Sequence, residues 1–583
     1  MKLYKVMLLV GTLGFFSSCE EDVFDKRDLS GLNEEVWNDS TLARVYVDYV
    51  YDQNLPSWGG NSNLSDESYG ESVYLQGTVQ VNTVTDFGTS INVNNNYGKI
   101  RSINQGLQEL DKGTLAPEMR NRLKGQLYFF RAWRYFDLVR LYGGVPLVLE
   151  PQDAVGEAKE STFIARNKTS ETFAQIASDL ELATQNLPGK WLGADWGRVT
   201  SGAAAALQGR ALLYWASPQF NPGDLPERWQ KAYEANKKAK EVLLANGYKL
   251  HANFEEMWFQ EVGNPEAVFI TGYNNSANDQ QRKNNTYDNS TRPKYLGTGG
   301  GSNQPTKEMV DAFPMKDGKK INDPTSKYTY DAKLFFKNRD PRFDKTIAYN
   351  GATWSINGNP NYKLWTYLVS NKTVEPTATN TGFYARKAID KNTAAGNAQY
   401  VGTDWMEIRF AEVLLNLAES ATGLNKLAEA YTELKEIRKR AGIEAGADGL
   451  YGLKPNMTRT EMFQAILDER QVEFAFENKR YWDLRRNKLF EKVLNGKRRS
   501  GINISLNTTA ISAADFEKNR ENISLEEAYT KYFTISSKVM DTRYAINWLP
   551  EYYFFALPQQ AITNNPNLEQ TKGWNGGTFD PLQ

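Results

Sequence analysis

The strongest pattern in the chain lies at 119–146, where apolar residues leave no wide polar face. Leu123, Leu127, Phe130, Trp133, Phe136 and Val139 wind around a predicted helix, and a helix apolar almost all round is buried on several sides. Gly143-Gly144 can supply a left-handed cap and Pro146 cannot continue the helix, so its stop is well specified. Arg131, Arg134 and Arg140 sit inside this apolar setting, with Asp137 three residues after Arg134. Guanidinium groups in such a place are normally paired, which predicts structural ion pairs. The helical period recurs at 38–51, 99–110, 170–186, 200–216, 226–245, 404–421, 425–441 and 459–486. Small residues and aromatics at facing positions of successive helices predict tetratricopeptide-like pairs. A generic helical bundle would carry the same consequence for function.

Two stretches break the period. The first, 52–97, is rich in Gly, Asn and Ser and carries Trp58, Tyr69, Tyr74, Phe87 and Tyr97. The second, 246–401, is rich in Asn, Gly, Thr and Tyr, with strand-like pieces at 267–271 and 365–369. Long loops in compact proteins are often functional, and insertions between helical repeats project to one face. The expected fold is mainly α: helix pairs form a scaffold that bears a loop-rich, irregular ligand-binding lobe. The expected divisions are a signal at 1–18, an N-terminal region at 19–245 holding the first ligand loop, and a C-terminal region at 246–583 holding the inserted lobe. Beyond 486 the chain reads as loop-rich.

The N-terminus changes the picture by adding a location. Lys2 and Lys5 precede an apolar run at 6–16, which reads as a secretory signal and is too short to span a membrane. The run ends in Phe16-Ser17-Ser18-Cys19, and Cys19 is the only cysteine, so no internal disulfide forms. This ending resembles the bacterial lipobox, with Phe16 where Leu is usual. The resemblance implies acylation of Cys19 and anchoring to a membrane surface; ordinary secretion with a free thiol is the alternative. Glu20-Glu21-Asp22 resembles the acidic signal that sends lipoproteins of the Bacteroidetes to the cell surface.

Composition excludes more than it selects. A net charge of −1 leaves no broad footprint for nucleic acid. Apolar content of 40 % with 13 % aromatics supports a folded core, and 31 Tyr with 14 Trp leave rings over for recognition. One histidine, His251, and one cysteine remove Ser-His-Asp and Cys-His schemes and the usual zinc and copper sites. Gly299-Gly300-Gly301 lacks the Lys-Ser/Thr of a phosphate-binding loop. A carboxylate-only glycosidase needs two of the 70 acidic residues, and nothing singles out a pair. The reading is therefore non-enzymatic, with no cofactor and no metal.

The central stretch, through Gly125, Phe130, Arg131, Ala132, Tyr135, Phe136, Leu138, Val139, Tyr142, Gly143, Gly144 and Pro146, resembles the signature helix of the SusD/RagB family of Bacteroidetes outer-membrane lipoproteins. Arg339-Asp340-Pro341-Arg342-Phe343 is similar to that family's RDPR segment, and Gly382-Phe383-Tyr384-Ala385-Arg386-Lys387 to its Gly-Tyr-x-x-Arg-Lys piece. Asp468-Glu469-Arg470, Glu473, Glu477, Arg480 and Asp483-Leu484-Arg485 resemble its acidic-basic helix, and Leu557-Pro558 with Asn565-Pro566-Asn567-Leu568 its end. Ala556 and Ala561 depart from the usual Pro and Glu there. The resemblance implies a helical scaffold of about four tetratricopeptide-like pairs. It also implies a lid-like partnership with a SusC-like TonB-dependent transporter, and capture of oligosaccharide or, in some members, peptide. No catalytic residue carries over, and Glu477, Arg480 and Asp483 are expected to pair with one another.

A sugar offers apolar C–H faces and a rim of hydroxyls, so its binder needs exposed flat aromatics beside amides and charged groups. Trp58 with Asn61, Asp66, Tyr69 and Tyr74 offers that mixture in the first loop. Tyr273, Asn274, Asn275, Tyr287, Asn289, Tyr295 and Trp354 offer it in the second. The expected ligand contacts are Trp58, Asn61, Asp66, Tyr69, Tyr74, Tyr287 and Trp354; a Trp58 that merely pins its loop is the alternative. The functional expectation is a cell-surface glycan-binding lipoprotein serving a transporter. A peptide-capturing relative and a scaffold binding only proteins are the alternatives.

Overall fold

The computed structural model describes residues 34–59, 62–84, 95–152, 160–277 and 284–583. Cys19 and Asn61 lie outside the described residues.

The central helix is Pro117–Tyr142. Pro117 occupies its first turn, where a missing N–H costs nothing, and Gly143 closes it at φ 74°. Its burial is nearly continuous from Leu123 onward, as an all-round apolar surface requires. Ser40–Asn54 and Asn96–Lys112 pack on one side, Thr169–Asn186 on another. A stack then continues through Ser201–Ala216, Pro226–Ala245, Phe410–Gly423 and Leu427–Ala441, each helix packed on the one before. Small residues permit the close approach. A Cβ on Gly106 would come within 2.8 Å of Leu127 and 2.9 Å of the Tyr46 ring, where three helices meet. One hydrophobic core draws on residues from both ends of the described chain, from Trp37 to Trp574.

The predicted ion pairs are present. Arg134 meets Asp137 at 2.9 Å, Arg140 meets the same carboxylate, and Arg131 reaches Asp179 at 2.7 Å.

Four expectations are corrected. Trp405–Arg409 is a strand, β6, and the helix starts only at Phe410; β6 pairs antiparallel with β1, Ala267–Thr271. The predicted 459–486 helix is two helices, Arg459–Glu473 and Arg480–Arg486, with Phe476 (φ 62°) and Asn478 (φ 57°) in the left-handed region between them. The break follows from pairing at a distance. Glu477 is drawn to Arg409 at 2.7 Å and to Lys387, Arg480 to Asp66 at 2.8 Å, and Asp483 to Arg470 and Arg486 at 2.8 Å. These three residues therefore do not pair with one another. The C-terminal region also holds Ser500–Leu506 (β7) and Phe533–Val539 (β8), paired antiparallel over seven residues. They extend a sheet with Leu368–Val369 (β3) and Lys372–Thr373 (β4).

A belt of buried ion pairs joins lobe to scaffold. Arg342 bonds Asp340, Glu469 and Glu473, and Arg409 bonds Glu266, Glu473 and Glu477, at 2.6–2.8 Å. Burial pushes the Glu473 pKa up, but Arg440, Arg409 and Arg342 outweigh it and hold the carboxyl well below its ordinary value. No helix among the described residues is long and apolar enough to cross a membrane.

Candidate functional site

The lobe rests on an aromatic-rich core that includes Trp258, Tyr287, Trp354, Ile356, Leu364 and Tyr384, with Trp58, Tyr295 and Tyr362 packed against it half-buried. These rings form two arrangements.

The first is closed. Trp58 stacks on Tyr287 at 4.4 Å and 23°, with Trp405 at 4.9 Å and Trp258 at 5.5 Å. Its indole N–H donates to the Thr403 carbonyl at 2.8 Å, and its backbone N–H to the Tyr273 hydroxyl at 3.3 Å. This geometry pins the loop. Asp404 supports it by accepting the Tyr273 backbone N–H at 2.9 Å; burial raises the Asp404 carboxyl to about 6.

Four expected contacts are enclosed, and their assignment to ligand is corrected. Tyr74 is 0 % exposed, packed against Tyr552 and Phe555; Trp354 is 1 % exposed and Tyr287 4 %. Asp66 is spent on Arg480 and Gln471. A ring without a free face cannot stack on a sugar. Tyr69 remains half-buried, with the Arg499 guanidinium 5.5 Å from its ring.

The second arrangement is open. The half-buried Tyr295 and Tyr362 rings and the largely buried Trp365, 7 % exposed, wall a hollow of about 400 Å3, with Asn359, Asn361, Glu375, Arg520 and Glu521 at its rim. A hairpin presents much of it. Asn357 (φ 56°) and Gly358 (φ 71°) form the tight turn, Thr353 bridges Lys363, and the Trp354 N–H donates to the Tyr362 carbonyl at 2.8 Å. Alternation along the first arm of the hairpin sends Trp354 and Ile356 inward; Leu364 joins them in the core, and Tyr362, on the same face but nearer the turn, is half-buried. That alternation is the physical reason Trp354 is core.

Hydrogen bonds fix the walls. The Tyr295 and Tyr384 hydroxyls donate to Glu375 at 3.0 and 2.9 Å, and the Thr379 N–H at 3.2 Å. Burial raises the Glu375 carboxyl; the tyrosine hydroxyls pull it back. Burial, then the Glu375 charge, pushes the Tyr295 phenol far above its usual range. The Trp365 indole N–H donates to Glu521 at 2.8 Å, and Arg520 lies 5.5 Å from the Trp365 ring. Flat rings held rigidly beside two amides and a guanidinium suit a polyhydroxylated, part-apolar ligand. Of the residues singled out in the sequence, Tyr295 reaches this hollow. Tyr362, Asn359 and Asn361 are not singled out by the sequence pattern, although Asn357-Gly358 after Ile356 is a turn signal. Among the described residues no group of His, Cys, Asp and Glu is arranged to hold a metal ion.

Residues 265–574, more than half of the chain, match the family model described as SusD family. The chain belongs to the SusD family. Residues 25–213 match a further family model, described as starch-binding associating with outer membrane. The SusD-like protein P2 of Formosa agariphila is 25 % identical over 377 residues, which are 64 % of this chain and 66 % of that relative. Among solved structures, a SusD-like protein from Bacteroides fragilis superposes with a TM-score of 0.72 at 23 % identity, over 93 % of this chain and 99 % of that one. A laminarin-binding SusD-like protein superposes with a TM-score of 0.59 at 20 % identity, over 92 % and 100 %. The SusD fold accounts for the helix-dominated scaffold and the lobe upon it.

Proposed function

We propose that this SusD-family chain is a cell-surface lipoprotein, anchored through Cys19, that captures oligosaccharide and delivers it to a SusC-like TonB-dependent transporter of the outer membrane. The single observation that carries the reading is the open hollow, where Tyr295, Tyr362 and Trp365 stand beside Asn359, Asn361 and Arg520. Starch and laminarin binding in the matched family model and in a structural neighbour support a glucose-based ligand. The rim carboxylates suit holding better than hydrolysis, because Glu375 is engaged by Tyr295, Tyr384 and Thr379, and Glu521 by Trp365.

Calorimetry with a panel of maltooligosaccharides, laminarioligosaccharides and peptides tests it. Saturable binding of a glycan without turnover is expected; binding of peptides alone would overturn it. Peptide capture has one favourable observation, a cleft of about 690 Å3 floored by Ile321, Leu453, Met457 and Val472 and free of aromatic rings. Cys19→Ser is expected to release the protein from the membrane fraction.

A further inference from the structure

Across Trp365 from the aromatic hollow lies a second hollow of about 440 Å3, and the two share Lys363 and Trp365. Asp344, Lys345 and Arg386 line its far side. Arg386 follows the short strand Phe383–Ala385 (β5), whose partner is Ile347–Tyr349 (β2), and its N–H donates to the Thr346 carbonyl at 2.9 Å. Its position is therefore set by backbone.

The Arg386 side chain is 10 % exposed, yet it is poorly matched. Among the described residues its guanidinium makes one hydrogen bond, to the Thr353 carbonyl at 3.0 Å, and the Glu255 carboxylate stands 3.9 Å away. A guanidinium has five N–H donors, so several remain for a ligand. Burial holds its pKa below the usual value, with Glu255 and Asp344 offsetting only part of that cost. Asp344 accepts the Tyr349 hydroxyl at 3.0 Å and keeps further lone pairs.

Charge decides the class of ligand. Lys345 pairs with Glu255 at 2.6 Å, and Lys363 donates to the Glu521 carbonyl at 2.7 Å. Lys345, Lys363 and Arg386 line the hollow with Asp344, and Glu255 and Glu521, outside the lining, partner Lys345 and Lys363, so much of the cationic charge is already matched. The Arg386 donors beside the Asp344 acceptor match a pair of neighbouring hydroxyls, each of which both donates and accepts.

We propose that this second hollow is a further sugar subsite, in which Arg386 and Asp344 grip a neutral vicinal diol of an oligosaccharide that crosses the Trp365 ridge from the aromatic hollow. The proposal rests on the glycan reading above. Two linked subsites make affinity grow with chain length, because the second contact forms at high effective concentration.

The full chain is titrated with maltooligosaccharides and laminarioligosaccharides of increasing length, with oligogalacturonides as the anionic arm. For the wild type, affinity is expected to rise about tenfold or more from the shortest to the longest neutral ligand that binds. In Asp344→Asn and Arg386→Gln the ratio of long to short affinity should fall towards one. Thermal melts check that each variant folds, and Asp344→Asn preserves the test if Arg386→Gln does not. A length gain that survives both substitutions, or a preference for oligogalacturonide, overturns the proposal. Binding of short neutral glycans without any gain sinks the second subsite alone, whereas no glycan binding at all sinks the functional reading with it.

Discussion

Trp58 in the closed stack and Tyr295 and Tyr362 in the hollow pack against the same hydrophobic core and are the same kinds of residue, yet their surroundings differ. In the stack each ring is covered by another: Tyr287 beneath Trp58, Trp405 and Trp258 around it. The indole N–H is committed to Thr403. In the hollow Tyr295 and Tyr362 come from separate segments, keep part of their faces uncovered and border a shared space, with Asn359 and Asn361 at the edge. Aromatic content alone does not distinguish a clamp for the chain from a clamp for a ligand. What distinguishes them is whether neighbouring segments close over the faces.

The contrast is broken most severely at Trp405, which is 1 % exposed. Trp405→Ala is expected to cost about 3–5 kcal/mol of stability by opening a cavity, read as a lowered denaturation midpoint. Tyr362→Ala should do the reverse, weakening glycan affinity about tenfold, or about 1.4 kcal/mol, while stability changes by less. Trp58→Ala tests the border between the two. Its half-buried ring predicts about 1–2 kcal/mol of lost stability and an affinity change smaller than that of Tyr362→Ala. An affinity loss larger than at Tyr362 would move the binding face to the stack.

A pH dependence beside the closed stack sharpens the contrast from the stack's side. Burial, aided by the Asp66 charge, raises Glu67 from 4.5 to about 8 against the pull of the Phe476 N–H, Arg480 and Lys387, and one of its carboxyl oxygens has no partner among the described residues. A raised folded pKa favours the protonated carboxyl, so this contribution is complete below pH 4.5 and is lost as pH rises through about 8. Glu67→Gln should therefore raise the melting temperature near pH 8 and change it little below pH 4.5. Equal shifts at both pH values would contradict the buried neutral carboxyl.

Local pattern made the scaffold legible. The all-round apolar run and Gly143 placed the central helix, and its isolated arginines announced the pairs that Asp137 and Asp179 complete. Distant contacts hid the rest. Trp405–Arg409 is buried at every position, which erases the period that separates strand from helix. The break after Glu473 is imposed by Arg409, Lys387 and Asp66, remote in sequence from the residues they hold. The hollow is assembled from four separated segments, so Tyr295 could be singled out by its composition but Trp365, Arg520 and Glu521 could not.

The central claim is that sugar is held where the rings stay open. A crystal structure of the chain with a bound maltooligosaccharide or laminarioligosaccharide tests it most directly. The account predicts a sugar ring against Tyr362 and Tyr295 with hydroxyls within reach of Asn359, Asn361 or Arg520. A ligand seated on Trp58, or in the cleft over Leu453 and Met457 with the hollow left empty, would contradict it.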